Sequence, residues 1–168
     1  ARGPSEAEGD VSDIEWTDAT WNVLVGCSRV SPGCEHCYAE RFVHRELAPQ
    51  HRGLTVLGKG EKGPRWTGEV RLVESRLGEP LSRRKPKRVF VNSLSDLWHE
   101  AVSNETVARI FGVMAACPHL TFQVLTKRPK RMREWFSWIA AEAKRCSRRS
   151  ARSPTGTTDK SRPRARCT

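Results

Sequence analysis

Val89-Phe90-Val91-Asn92-Ser93-Leu94-Ser95-Asp96-Leu97-Trp98-His99 decides how this chain is read. Its first three residues are β-branched or aromatic, the composition and length of a strand buried on both faces of a parallel sheet. The residues behind them are small and polar, a turn-forming set. Ser103 then predicts a helix N-cap, with Glu105 in the first turn. Val107, Ile110, Phe111, Met114 and Ala115 follow the i, i+3, i+4, i+7, i+8 spacing of one helix face, and Pro118 closes it. Strand, polar loop and helix make one βα unit.

The same unit is predicted on either side. Downstream, Phe122–Leu125 reads as a strand, and Met132, Trp135, Phe136, Ile139 and Ala140 repeat the helical stripe. Upstream, Trp21–Val25 is a β-prone run ending at Gly26. Tyr38–Leu47 has apolar residues at 39, 42, 43 and 47 and is stopped by Pro49. Between these units, Gly53–Gly68 contains five glycines and Pro64, which predicts an irregular excursion with a short hairpin. The order βα, excursion, βα, βα predicts an α/β fold, a parallel sheet with helices outside it. Chemistry in such folds gathers at the carboxyl ends of the strands. Three loops are therefore singled out: the one holding Cys27, Cys34 and Cys37, the loop Asn92–His99, and Thr126-Lys127-Arg128-Pro129.

The chain has 168 residues and a formal charge of +11. The charge is uneven. Residues 144–168 hold nine of the 30 Lys and Arg and one of the 19 acids, which makes +8; the other 21 basic and 18 acidic side chains leave +3. The segments follow: a loose polar leader over 1–13, an α/β domain over 14–143 with the 53–68 excursion, and a basic disordered tail over 144–168 whose Arg, Ser, Thr and Pro cannot bury enough surface to offset ordering. No apolar run approaches the roughly 20 residues of a membrane span, and no signal-peptide core is present. A cytoplasmic protein is expected.

Three of the six cysteines form C-x6-C-x2-C over Cys27, Cys34 and Cys37. A close C-x2-C pair with a third thiol suits a metal site. Three thiolates on a [4Fe–4S] cube leave one iron open to a further ligand, and an open position likewise marks catalytic rather than structural zinc. Two alternatives stay open on the residues alone. One is a disulfide pair, the ordinary reading in a secreted protein. The other is structural zinc with His44 or His51 as a fourth ligand. Cys117 reads as a buried thiol, and Cys146 and Cys167 have no partner at metal spacing.

Gly26-Cys27 with Pro32-Gly33-Cys34-Glu35-His36-Cys37-Tyr38-Ala39-Glu40-Arg41 resembles the cluster loop of radical S-adenosylmethionine (SAM) proteins. The usual spacing there is C-x3-C-x2-C, so the first gap here is longer. That gap, with Trp16–Asn22 ahead of it, resembles an uncharacterised phage and bacterial family, the gene-product thirty-seven/sixty-eight family. Val89–His99 and Phe122–Pro129 are similar to that family's later motifs, and in place and type to the T-D-P-Y and T-K-S loops of spore photoproduct lyase-like proteins.

The resemblance implies the N-terminal part of a partial (β/α)6 barrel, cut short after about three βα units. It implies a [4Fe–4S] cluster on Cys27, Cys34 and Cys37, SAM bound at the open iron, and a 5′-deoxyadenosyl radical that takes hydrogen from an unknown substrate. His36 would sit beside the adenine; Asn92, Ser93, Ser95 and Asp96 would hold the SAM amino group; Thr126 and Lys127 would reach its carboxylate or ribose. Asn92 and Ser95 also read as turn formers, Asp96 as a cap and Lys127 as a solvated charge. The partners implied are SAM, the unknown substrate, and an electron donor such as flavodoxin or ferredoxin. The stretch from Lys144 reads like wrong-frame translation or a truncated gene, so a fragment of doubtful activity is expected, with an uncovered edge on the Phe122–Leu125 strand. The alternative is a zinc-containing nucleic-acid-binding module, supported by Arg83-Arg84-Lys85-Pro86-Lys87-Arg88 and the basic tail.

Overall fold

A computed structural model describes residues 14–45, 48–60 and 62–151, the last three through their backbone alone. Its strands and α-helices run β1 (Ala19–Trp21), β2 (Leu24–Val25), α1 (Tyr38–Arg45), β3 (Thr55–Leu57), β4 (Pro64–Trp66), β5 (Arg71–Leu72), β6 (Arg88–Val91), α2 (Asn104–Ala115), β7 (Thr121–Val124) and α3 (Pro129–Ala151). The leader over 1–13 and the tail beyond residue 151 lie outside the described residues.

β1, β6 and β7 form one parallel sheet in that order, with Trp21 beside Val91 and Val91 beside Val124. The predicted α/β class is therefore correct: a mixed fold with a parallel three-stranded sheet and helices. Val89 and Val91 are fully buried and Phe90 nearly so, as expected of a strand covered on both faces. β7 stands at one edge of this sheet, and Leu125 beyond it is 60% exposed.

The first strand differs from its sequence reading. Trp21–Val25 is not one strand; the chain leaves the parallel sheet after Trp21, and Leu24–Val25 pairs antiparallel with β5 instead. The cause is a pair of asparagines. Asn92 N–H donates to Trp21 O, and its side-chain Oδ1 accepts from Leu24 N–H. Asn22 Oδ1 accepts from Leu94 N–H and Ser93 Oγ. These buried polar groups satisfy the backbone where a continuous ladder would have run.

The other elements follow their local chemistry. Ser103 Oγ accepts from Thr106 N–H and caps α2. The excursion contains the expected hairpin, with Thr55 opposite Trp66. α1 is described as far as Arg45, and residues 46–47 of its predicted span lie outside the described residues. α3 corrects a boundary: it continues to Ala151, eight residues into the stretch read as tail.

The main core joins Trp21, Val89 and Val91 of the sheet to Val107 and Ile110 of α2 and Trp135 of α3. Each fully buried side chain of this size contributes roughly 1.5–3 kcal/mol. Trp135 stacks on Phe111 at 4.6 Å, and its indole N–H donates to Asn104 O, so α3 is fixed in rotation against α2. Phe136, expected in the same stripe, is 47% exposed at its edge. Cys117 is a buried core thiol, as read. A second cluster of Val25, Ala39, Val43, Leu54 and Leu94 fastens α1 and the excursion to the loops after the strands. No described helix is long and apolar enough to cross a membrane.

Candidate functional site

The three loops meet. A cavity of about 310 Å³ at the carboxyl ends of β6 and β7 is lined by Cys27, Cys34 and Cys37, by Asn92, Ser93, Ser95 and Asp96, and by Thr126, Lys127 and Arg128. Phe90, Tyr38 and Ser28 complete much of its wall.

Gly26 turns the chain into this site. Its φ is +97°, and a Cβ there would stand 2.1 Å from the Glu69 carbonyl oxygen, so only glycine fits. Its N–H donates to Leu94 O, which ties the cysteine loop to the loop after β6. Further along, Glu40 is buried in α1 and accepts two bonds from Arg29, at 2.9 and 2.6 Å, and one from Trp66 N–H. Lys127 Nζ donates to Gly33 O at 2.7 Å. The loop between Cys27 and Cys34 is thus pinned from the helix, the hairpin and the loop after β7.

The thiols are free cysteines. Burial pushes the Cys27 thiol up, against the pull of Arg128. At Cys34 burial also opposes ionisation, but hydrogen bonds from Val30 and Ser31 and the charge of Lys127 outweigh it and hold the thiol below its ordinary value. Among the described residues no three His, Cys, Asp or Glu side chains converge closely enough for one metal ion. Thiolates on one tetrahedral ion lie within about 4 Å of each other, given metal–sulfur bonds near 2.3 Å. Thiolates on a cube bind different irons and stand further apart. Three free thiols on one cavity wall are soft donors of the kind that both zinc and iron–sulfur clusters take. His44 and His51 do not line this cavity; His44 pairs with Thr55, and His51 packs against Phe42.

Asp96 is the centre of the polar wall. Its Oδ1 accepts from Trp98 N–H and Thr126 Oγ, and its Oδ2 accepts from Lys127 N–H and pairs with Arg128 at 3.3 Å. A carboxylate has about four acceptor sites, and these are taken. Asp96 positions the loop after β7 and does not offer an open site to an ammonium. Ser93 and Ser95 spend their hydroxyl donors on Asn22 Oδ1 and Leu24 O and keep oxygen lone pairs that can accept. Asn92 differs. It sits at φ +60°, its Oδ1 is taken by Leu24 N–H, and its buried Nδ2 has no hydrogen-bond partner among the described residues. The remaining capacity of Asn92 is therefore a donor, suited to an oxygen of a ligand. His36 is exposed and lies off the cavity lining, whereas Tyr38 lies on it, with its hydroxyl donating to Ser93 O.

Ser28 and Glu100 carried no sequence signal, and Arg128 and His99 lay in the singled-out loops without a role assigned to them. His99 Nδ1 accepts from Ala101 N–H, so the neutral ring carries its proton on Nε2 and donates to Ser28 Oγ at 2.8 Å. Burial, then the charge of Arg128, lowers the His99 pKa below 6.5, against Glu100 and Asp96, which keeps the ring neutral at pH 7. The basic run leads into β6 and ends on its first residue, Arg88, at the end away from the cavity, where Arg88 is paired to Asp18.

Neither a curated protein nor a solved structure matches the chain. The model of one family, described as a protein of unknown function (DUF5131), matches residues 11–158. That span includes all three loops of the cavity and the whole of α3, and the chain is a member of the DUF5131 family.

Proposed function

We propose that this cavity is the cofactor site of a radical SAM-like iron–sulfur protein, with Cys27, Cys34 and Cys37 as the ligands of a [4Fe–4S] cluster. The observation that carries the reading is the gathering of three free thiols and two polar loops on one cavity at the carboxyl ends of parallel strands. The three-stranded sheet is consistent with the first units of a (β/α)6 barrel. When bound, the cluster and SAM would supply one-electron chemistry, with the electron drawn from a low-potential donor of the flavodoxin or ferredoxin class, ending in hydrogen abstraction from a substrate.

The chain's own residues divide the remaining work. Asn92 Nδ2 donates to a SAM oxygen, and the Tyr38 ring, on the cavity wall, offers a face for the adenine. Asp96 fixes Thr126 and the Lys127 backbone, and Lys127 Nζ braces the cysteine loop through Gly33 O. Leu94, Phe90 and Ala39 exclude water from the cavity floor.

Anaerobic reconstitution with iron and sulfide tests the assignment. About four irons per chain and a brown chromophore are expected. Cys34→Ala abolishes both, whereas Cys117→Ala, in the core away from the cavity, retains them. A colourless protein with stoichiometric zinc would overturn the reading.

A further inference from the structure

We infer that Arg128 is a positioning residue for Cys27 that sets the electron affinity of a cluster bound there, by donating a hydrogen bond to the Cys27 sulfur. The inference rests on the cluster reading above and adds a residue that the sequence motifs do not assign.

The geometry is specific. A guanidinium has five N–H donors in a fixed plane. Here Nε–H meets Glu100, at 3.0 Å from Oε2. Nη2 donates to Ser28 O at 3.1 Å and to Ser28 Oγ at 2.8 Å. Nη1 serves Asp96 Oδ2 at 3.3 Å and Cys27 Sγ at 3.7 Å. Five oxygens, two from Glu100, two from Ser28 and one from Asp96, hold the fork in place, and the sixth neighbour is a sulfur. Arg128 is 5% exposed, so solvent does not compete for these bonds. The second oxygen shell is braced as well: Ser28 Oγ is held from the other side by His99.

A buried arginine paired with two carboxylates has no need of a sulfur for its own charge balance. What the bond to sulfur does is present a fixed N–H donor to one thiolate of three. Hydrogen bonds to cluster sulfurs favour the more negative, reduced state, because the donor's positive end stabilises the added electron. Lysine cannot replace this arrangement, having a point charge in place of a planar fork.

The test uses the reconstituted full chain and follows the midpoint potential by redox titration with electron paramagnetic resonance. Arg128→Gln should shift the potential to more negative values. Glu100→Gln leaves the fork's other bonds in place and removes a negative charge nearby, so it should not shift the potential that way. In wild-type protein labelled with 15N-arginine, pulsed resonance of the reduced cluster should show a 15N coupling. If Arg128→Gln takes up no iron, the wild-type coupling decides alone. Unchanged potential in Arg128→Gln, equal negative shifts in both variants, or no 15N coupling would overturn the inference while leaving the cluster intact. Wild-type protein that binds no iron would overturn the cluster assignment itself, and this inference with it.

Discussion

Glu40 offers the sharpest test of how the cysteine loop is held. Its carboxylate is 2% exposed, makes a bidentate pair with Arg29 at 2.9 and 2.6 Å, and accepts Trp66 N–H at 3.1 Å. Glu40→Ala removes all three bonds and leaves two groups behind. Breaking a buried ion pair by deleting one partner costs about 3–5 kcal/mol. The Arg29 side chain is 28% exposed and regains some water, which places the loss near the lower end, about 3 kcal/mol. The Trp66 N–H, half-buried, adds about 1 kcal/mol. Against a total of about 5–15 kcal/mol, a loss near 4 is severe. At about 3 °C per kcal/mol for a domain of this size, the midpoint of thermal unfolding should fall by roughly 12 °C. Circular dichroism melts of wild type and variant measure it. Glu69→Ala is the control, because its pair with Arg71 is exposed and worth about 0–1 kcal/mol. A Glu40→Ala melt within about 3 °C of wild type, or no larger a drop than Glu69→Ala, would refute the argument that this buried pair anchors the loop.

Two further outcomes are expected. Gly26→Ala places a Cβ against the Glu69 carbonyl at φ +97°, and should cost roughly 3 kcal/mol or more in urea unfolding; Gly68→Ala, at φ +89° with open space around it, should cost only about 1 kcal/mol. For His99 the sign follows from a folded pKa held below 6.5 by burial and Arg128. As pH falls the unfolded chain takes the proton first, so this contribution to stability is complete above about pH 6.5 and is lost as pH drops through the folded value. Melts between pH 7.5 and 5.5 should therefore show wild type losing more stability than His99→Gln, and parallel losses would contradict the assignment.

The βα order was legible because it depends on local pattern. Ser103 as a cap, the Val107–Ala115 stripe and the turn-rich excursion each need only neighbours within a few residues. The convergence of the three loops was also readable, since parallel strands place their carboxyl ends together. The first strand was misread because its end is set by Asn92 and Asn22 bonding across about seventy residues, a contact with no local signature. α3 outran its predicted end because loss of apolar periodicity does not stop a helix whose residues still favour helical backbone.

The chemistry of the site divides in the same way. Sequence alone determined which residue types lie in the three loops: three cysteines, a polar stretch and a Thr-Lys-Arg run. Only the tertiary structure decided what each has left to offer. Asp96 has spent its acceptors and the serines their donors on the protein, Asn92 has kept its amide donors, and Arg128, a surface residue by composition, is buried against Cys27 from 101 residues away. A side chain's residual bonding capacity depends on who its neighbours are in space, and backbone periodicity does not encode that.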